Sequence, residues 1–87
     1  MKEIKAIIQP FRLPAVLDAL HRIPELTAVT VSEARGINLE RGQVGEQSKA
    51  KLEIMVPDTL VDLVVRTIEK HAHTGHPGDG RIFVIPV

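Results

Sequence analysis

Residues 48–56, SKAKLEIMV, alternate without a break. Ala50, Leu52, Ile54 and Val56 fall on one side of an extended chain, and Lys49, Lys51, Glu53 and Met55 on the other. A strand of this kind has one apolar face that another layer must cover. The next stretch supplies such a layer. Over residues 59–71, Leu60, Val64 and Ile68 recur at helical spacing, with Val61 and Val65 beside them. Asp58, after Pro57, is placed to cap that helix, and Gly75 to end it.

The rest of the chain repeats the alternation of periods. KEIKAIIQ, residues 2–9, predicts a strand that Pro10 ends. LPAVLDALHR, residues 13–22, predicts a helix with Leu13, Val16, Leu17 and Leu20 on one stripe, Pro14 in its first turn and Pro24 past its end. TAVTVSEAR, residues 27–35, predicts a second strand, and the polar, glycine-containing residues 36–47 a loop. RIFVIP, residues 81–86, predicts the last strand. The order β-α-β-β-α-β is that of an α+β, ferredoxin-like split unit: a four-stranded antiparallel sheet with both helices on one face. The other face carries Lys49, Lys51 and Glu53 but also Ile7 and Met55. It is too mixed for plain solvent surface and is expected to be partly covered by further copies of the chain.

Composition narrows the function. In 87 residues, one domain is expected, and 44% hydrophobic with 2% aromatic content means an aliphatic core. Eleven basic residues balance eleven acidic ones, which argues against broad binding to nucleic acid or an anionic membrane. Phe11 and Phe83 are the only aromatic residues, too few for a base-stacking platform. There is no cysteine, hence no disulfide or thiolate chemistry. The start, MKEIKAII, enters a strand pattern at once, and no apolar run reaches bilayer length, so a soluble, cytoplasmic protein without membrane insertion is expected. No nucleophile–base pair stands out, and a hydrolase is not expected.

Two clusters carry chemistry. TGHPGDGR, Thr74–Arg81, joins the second helix to the last strand. Bare glycines let successive amides turn toward an anion. Arg81 offers a fork for phosphate oxygens, and Asp79 can fix the loop through its own backbone. The same residues also suit an ordinary reversal with a solvated arginine, and this is no Walker A loop, because the Lys-Ser/Thr ending is absent. His71, His73 and His76 gather at the same helix end. They fit either a wet helix C-terminus favoured by the dipole or a transition-metal site for Zn²⁺, Ni²⁺ or Cu²⁺. His71 and His73 share no helix face, so they can chelate together only where the helix has ended. His21, on the other helix, reads as an exposed residue.

The chain resembles the PII signal-transduction family. MKEIKAIIQPFRL is similar to its first strand and following turn, TVSEARG to the end of its second strand, and KAKLEIMVPDTLVDLVVRTIEKHAHTGHPGDGRIFVIPV to the remainder, with the TG-x-x-GDG-R-IFV-x-PV segment the most specific part. The resemblance implies a homotrimer with ATP or ADP in the clefts between subunits, Mg²⁺ and 2-oxoglutarate beside the nucleotide, and regulation of a transporter, enzyme or transcription regulator through a mobile T-loop; AMP is a further candidate once this sequence's departures from the family are counted. It implies no catalysis. Position by position, it places phosphate contacts at Thr74, Gly75, Gly78, Asp79, Gly80 and Arg81, base and ribose contacts at Ile7, Thr30, Gly36, Glu53 and Met55, and the oxoacid lysine at Lys49.

The sequence departs from the family in four places. The loop, about residues 37–47, is short. Leu39-Glu40 replaces an Arg-Gln pair; a glutamate there still suits Mg²⁺ but repels an oxoacid or phosphate. There is no tyrosine to uridylylate. The sequence to Val87 does not include the family's tail with its two phosphate-binding arginines, and a site without them is the expectation. These departures set 2-oxoglutarate against expectation and keep the adenine nucleotide. Some shortened members accompany heavy-metal efflux systems, which makes a metal-responsive protein the alternative. A trimeric interaction module without ligand is the third reading.

Overall fold

The computed structural model describes residues 1–39, 45–76 and 79–87. Strand β1 runs Lys2–Ile8, followed by a 3₁₀ turn at Pro10–Arg12 and helix α1 at Leu13–His21. Strands β2, Thr30–Asn38, and β3, Gly45–Val56, come next. A 3₁₀ turn at Asp58–Leu60 leads into helix α2, Val61–Ala72, and strand β4 closes the fold at Gly80–Pro86. The strands form one antiparallel sheet in the order β2-β3-β1-β4. This is the ferredoxin-like arrangement that the sequence predicts.

The core lies between the helices and one sheet face. Ile4, Ala6 and Ile8 of β1 meet Ala50, Leu52, Ile54 and Val56 of β3, and Val16, Leu20, Val64, Ile68 and Ala72 of the helices close over them. Among the described residues the buried side chains are all apolar. From Ile4 to Ile8 and from Ala50 to Val56 every second residue points into this layer, as strand geometry requires. No helix of the described residues is long and apolar enough to cross a membrane.

Three local expectations fail. Strand β2 lies at Thr30–Asn38 rather than 27–35, and Gly36–Asn38 pair with Gly45–Gln47 inside what reads as loop. The pairing rests on backbone hydrogen bonds, which polar residues serve as well as apolar ones when both faces are wet. Asp58 does not cap α2. Pro57 precedes the 3₁₀ turn, no side chain caps it, and Asp58 Oδ1 instead accepts from the Met1 ammonium at 2.8 Å. Lastly, α2 ends at Ala72, before Gly75; His73 is already extended.

Candidate functional site

The antiparallel register places most of the expected contact residues on the sheet face that the helices leave open. Cross-strand partners share a face. Ile7 pairs with Arg81 on one side and Lys51 on the other. Lys5 pairs with Glu53 and Phe83, and Glu53 with Thr30. Glu3 pairs with Met55 and Ile85. Three neighbouring rows therefore hold Ile7, Thr30, Glu53, Met55 and Arg81. Gly36 lies farther along β2, where an added Cβ would stand 3.8 Å from the Cγ and Cε of Lys49.

This face carries Lys5, Lys49, Lys51 and Arg81 against Glu3 and Glu53, an excess of positive charge on a neutral chain. Lys51 Nζ is 3.9 Å from Glu53 Oε1, and both side chains are about two-thirds covered. The face is also partly apolar, with Met55 50%, Phe83 44% and Ile85 37% exposed. Lys5 and Phe83 belong to the same rows, although sequence patterning did not mark them as site residues. Only the strand register reveals them, and register is a long-range property.

The turn after α2 is closed by one carboxylate. Asp79 Oδ2 accepts from the amides of Thr74 at 2.8 Å and Gly75 at 3.1 Å, and Oδ1 accepts from the Thr74 hydroxyl. These bonds hold the Asp79 carboxyl below the usual carboxylate range: the Thr74 amide contributes most, partial burial opposes it, and the Gly75 amide and nearby His73 and His76 add to it. The loop-fixing role expected of Asp79 is the observed one. Those two amides are thereby taken up within the turn.

The glycines have separate reasons. Gly75 has φ +80°, a conformation that side chains disfavour. At Gly80, a Cβ would lie 2.3 Å from the Ile7 carbonyl oxygen, so only glycine lets β4 approach β1 there. Gly80 is therefore required by the sheet itself, whatever binds beside it. Gly78, which the sequence marks for phosphate, lies outside the described residues, as do residues 40–44 of the expected 37–47 loop.

Two open clefts meet this turn. One, of about 430 Å³, lies between α2 and β4 over Val65, Ile68 and Val84, with Asp79, Gly80 and Arg81 lining it as well. The other, about 590 Å³, is bounded by Gln9, Phe11 and Arg12 on one side and His73, Thr74 and His76 on the other. The three histidines are not equivalent. His71 Nδ1 donates to the Thr67 carbonyl at 2.9 Å on α2, and the His71 carbonyl accepts from Arg12 Nε at 2.8 Å. His73 and His76 lie in the turn. Among the described residues no group of three or more His, Asp or Glu is placed to hold a metal ion.

Comparison with known proteins finds one family over the whole chain. The family model described as nitrogen regulatory protein P-II matches residues 1–87. The nitrogen regulatory protein P-II of Azospirillum brasilense is 40% identical over 97 aligned residues, covering 100% of this chain and 86% of that protein. The protein of the same name from Rhodospirillum rubrum is 39% identical with the same coverage. Nitrogen regulatory protein P-II 1 of Escherichia coli K12 is 42% identical, again over 100% of this chain and 86% of the relative. The 97 aligned positions outnumber the 87 residues here, so each relative holds at least ten residues without a counterpart within the matched span.

Proposed function

The chain belongs to the nitrogen regulatory protein P-II family, and from that premise we propose that it is a regulator: a homotrimer that reads an adenine nucleotide at the seams between its copies and acts on a partner protein. One observation supports this above others. The open sheet face gathers Ile7, Thr30, Glu53, Met55 and Arg81 into three adjacent rows beside the Thr74–Arg81 turn. An apolar surface for the base, carboxylate and hydroxyl groups for base and ribose, and a guanidinium for phosphate thus lie side by side. The exposed apolar residues of that face are suited to burial against a second copy, which would turn the open face into a cleft.

In this reading Arg81 binds phosphate oxygens, while Asp79 holds the turn in shape and does not touch the nucleotide. Met55 and Ile7 lie against the base. Lys49 and Lys51 supply further positive charge, and Mg²⁺ accompanies the triphosphate. Glu40, in place of the family's glutamine, disfavours 2-oxoglutarate. The effector is therefore the nucleotide alone: ATP, ADP or AMP. Signalling runs through the paired ends of β2 and β3 and the segment 39–44 that joins them. The ligand changes that segment's affinity for a transporter, enzyme or regulator by whatever differential contacts it makes. The protein acts in the cytoplasm and catalyses nothing.

Calorimetry with ATP, ADP and AMP tests the proposal directly. At least one should bind, and Arg81→Ala should weaken it by about 1.5–3 kcal/mol, the cost of a lost charged hydrogen bond. Silence toward all three nucleotides at high protein concentration would dismiss the reading.

A further inference from the structure

Two imidazoles in the 73–76 turn border one cleft, and the Nδ1 of each faces an oxygen acceptor. His76 Nδ1 lies 3.1 Å from the Thr74 carbonyl oxygen. A carbonyl can only accept, so in that contact Nδ1 carries the proton and the neutral ring keeps its lone pair on Nε2. His73 Nδ1 lies 3.4 Å from Asp79 Oδ2, and a carboxylate likewise favours the proton on the facing nitrogen. His73 Nε2 lies 3.9 Å from the place where a Cβ on Gly75 would stand. Both side chains are exposed, and Gln9, Phe11 and Arg12 bound the cleft opposite them.

We propose that the Nε2 atoms of His73 and His76 form a two-imidazole site for a divalent transition-metal ion in the cleft between the Pro10–Arg12 turn and the 73–76 turn. Metal-bound histidines characteristically give their other ring N–H to a carboxylate or carbonyl, which fixes the tautomer and raises the basicity of the ligating nitrogen. Here Asp79 and the Thr74 carbonyl take those roles. Nitrogen ligands suit Cu²⁺, Ni²⁺ and Zn²⁺, with Cu²⁺ bound most tightly, and a chain without thiolates does not favour Cu⁺. His71 stands apart, because it is half-buried on α2 and does not line this cleft. Water or a neighbouring copy completes the coordination. The site uses neither Arg81 nor the open sheet face, although it shares the turn that Asp79 closes, so Arg81→Ala separates the two readings: it should leave Cu²⁺ binding unchanged.

Titration of the full chain with Cu²⁺, followed by calorimetry and electron paramagnetic resonance, tests the assignment. One ion should bind per chain, with hyperfine coupling to two imidazole nitrogens. His73→Gln and His76→Gln should each lose one nitrogen from the spectrum and weaken binding at least about tenfold, whereas His21→Gln and His71→Gln should match wild type. Asp79→Asn should keep both nitrogens and weaken binding by about 10- to 100-fold, as loss of an outer-sphere partner does. Thermal melts of each variant, superimposable on wild type, would exclude misfolding as the cause. Absence of binding, unchanged binding in His73→Gln and His76→Gln, or equal loss in His71→Gln would overturn the site. Unchanged affinity in Asp79→Asn would overturn the orienting role of that carboxylate.

Discussion

Asp79 and Thr74 are joined twice: the Thr74 amide donates to Oδ2 at 2.8 Å, and its hydroxyl donates to Oδ1. With the Gly75 amide also on Oδ2, a single side chain ties the start of the turn to its end. Asp79→Ala should release both amides. Hydrogen exchange at Thr74 and Gly75 should quicken markedly, while amides at Ile54 and Ile68 in the core keep their protection. Unaltered exchange at Thr74 would contradict the assigned role.

Gly80 touches the sheet where no side chain fits. Its Cβ position is 2.3 Å from the Ile7 carbonyl oxygen, and backbone cannot swing aside as a flexible side chain can. Gly80→Ala should destabilise the fold by about 1–3 kcal/mol, the usual cost of overpacking. Urea denaturation would read this as a lower midpoint with an unchanged slope. A midpoint equal to wild type would show that β4 can stand off from β1.

Phe83 and Lys5 are cross-strand neighbours at the centre of the open face, and Phe83 is 44% exposed. If copies of the chain cover that face, Phe83→Asp would bury a charge in the contact. Sedimentation should then report a fall from three chains to one with the circular dichroism spectrum retained. A variant that remains trimeric would place the contact elsewhere.

The amino end offers a pH test. Asp58 accepts from the Met1 ammonium at 2.8 Å and lies 3.5 Å from Lys2 Nζ. Its pKa is lowered from 3.8, first by the bond to the amino terminus and then by the charge of Lys2. A carboxyl lowered on folding contributes stability above its unfolded pKa, and that stability disappears as pH falls through the folded value. Wild type should therefore exceed Asp58→Asn in melting temperature at pH 5–6 and converge with it well below pH 3.8. A gap that persisted in strong acid would point to packing rather than charge.

The order of elements was legible because β1, β3 and both helices bury one face each. Ile4–Ile8 and Ala50–Val56 keep the two-residue period, and Val64 and Ile68 the helical one. β2 was misplaced because it is an edge strand with little to bury. From Thr30 to Asn38 its side chains are exposed or half-exposed, so no alternation marks its limits. Asp58 was misread because a local cap signal lost to a partner 57 residues away. The turn residues Asp79 and Arg81 could be named from their chemistry beside the glycines, Thr74 from the family resemblance alone, and the role of Asp79 from its short side chain. Their neighbours Lys5 and Phe83 could not, because only the pairing of β1 with β3 and β4 places them there.

The pairing of Gly36–Asn38 with Gly45–Gln47 makes two polar segments into one stiff arm. Each residue added to or removed from both sides of such a ladder changes its reach by about 3.3 Å. The aliphatic core, seated at Ala50 and beyond, would not register the change. Reach and stability are thus set by different residues, and the span over which this arm can meet another molecule is free to vary by simple counting.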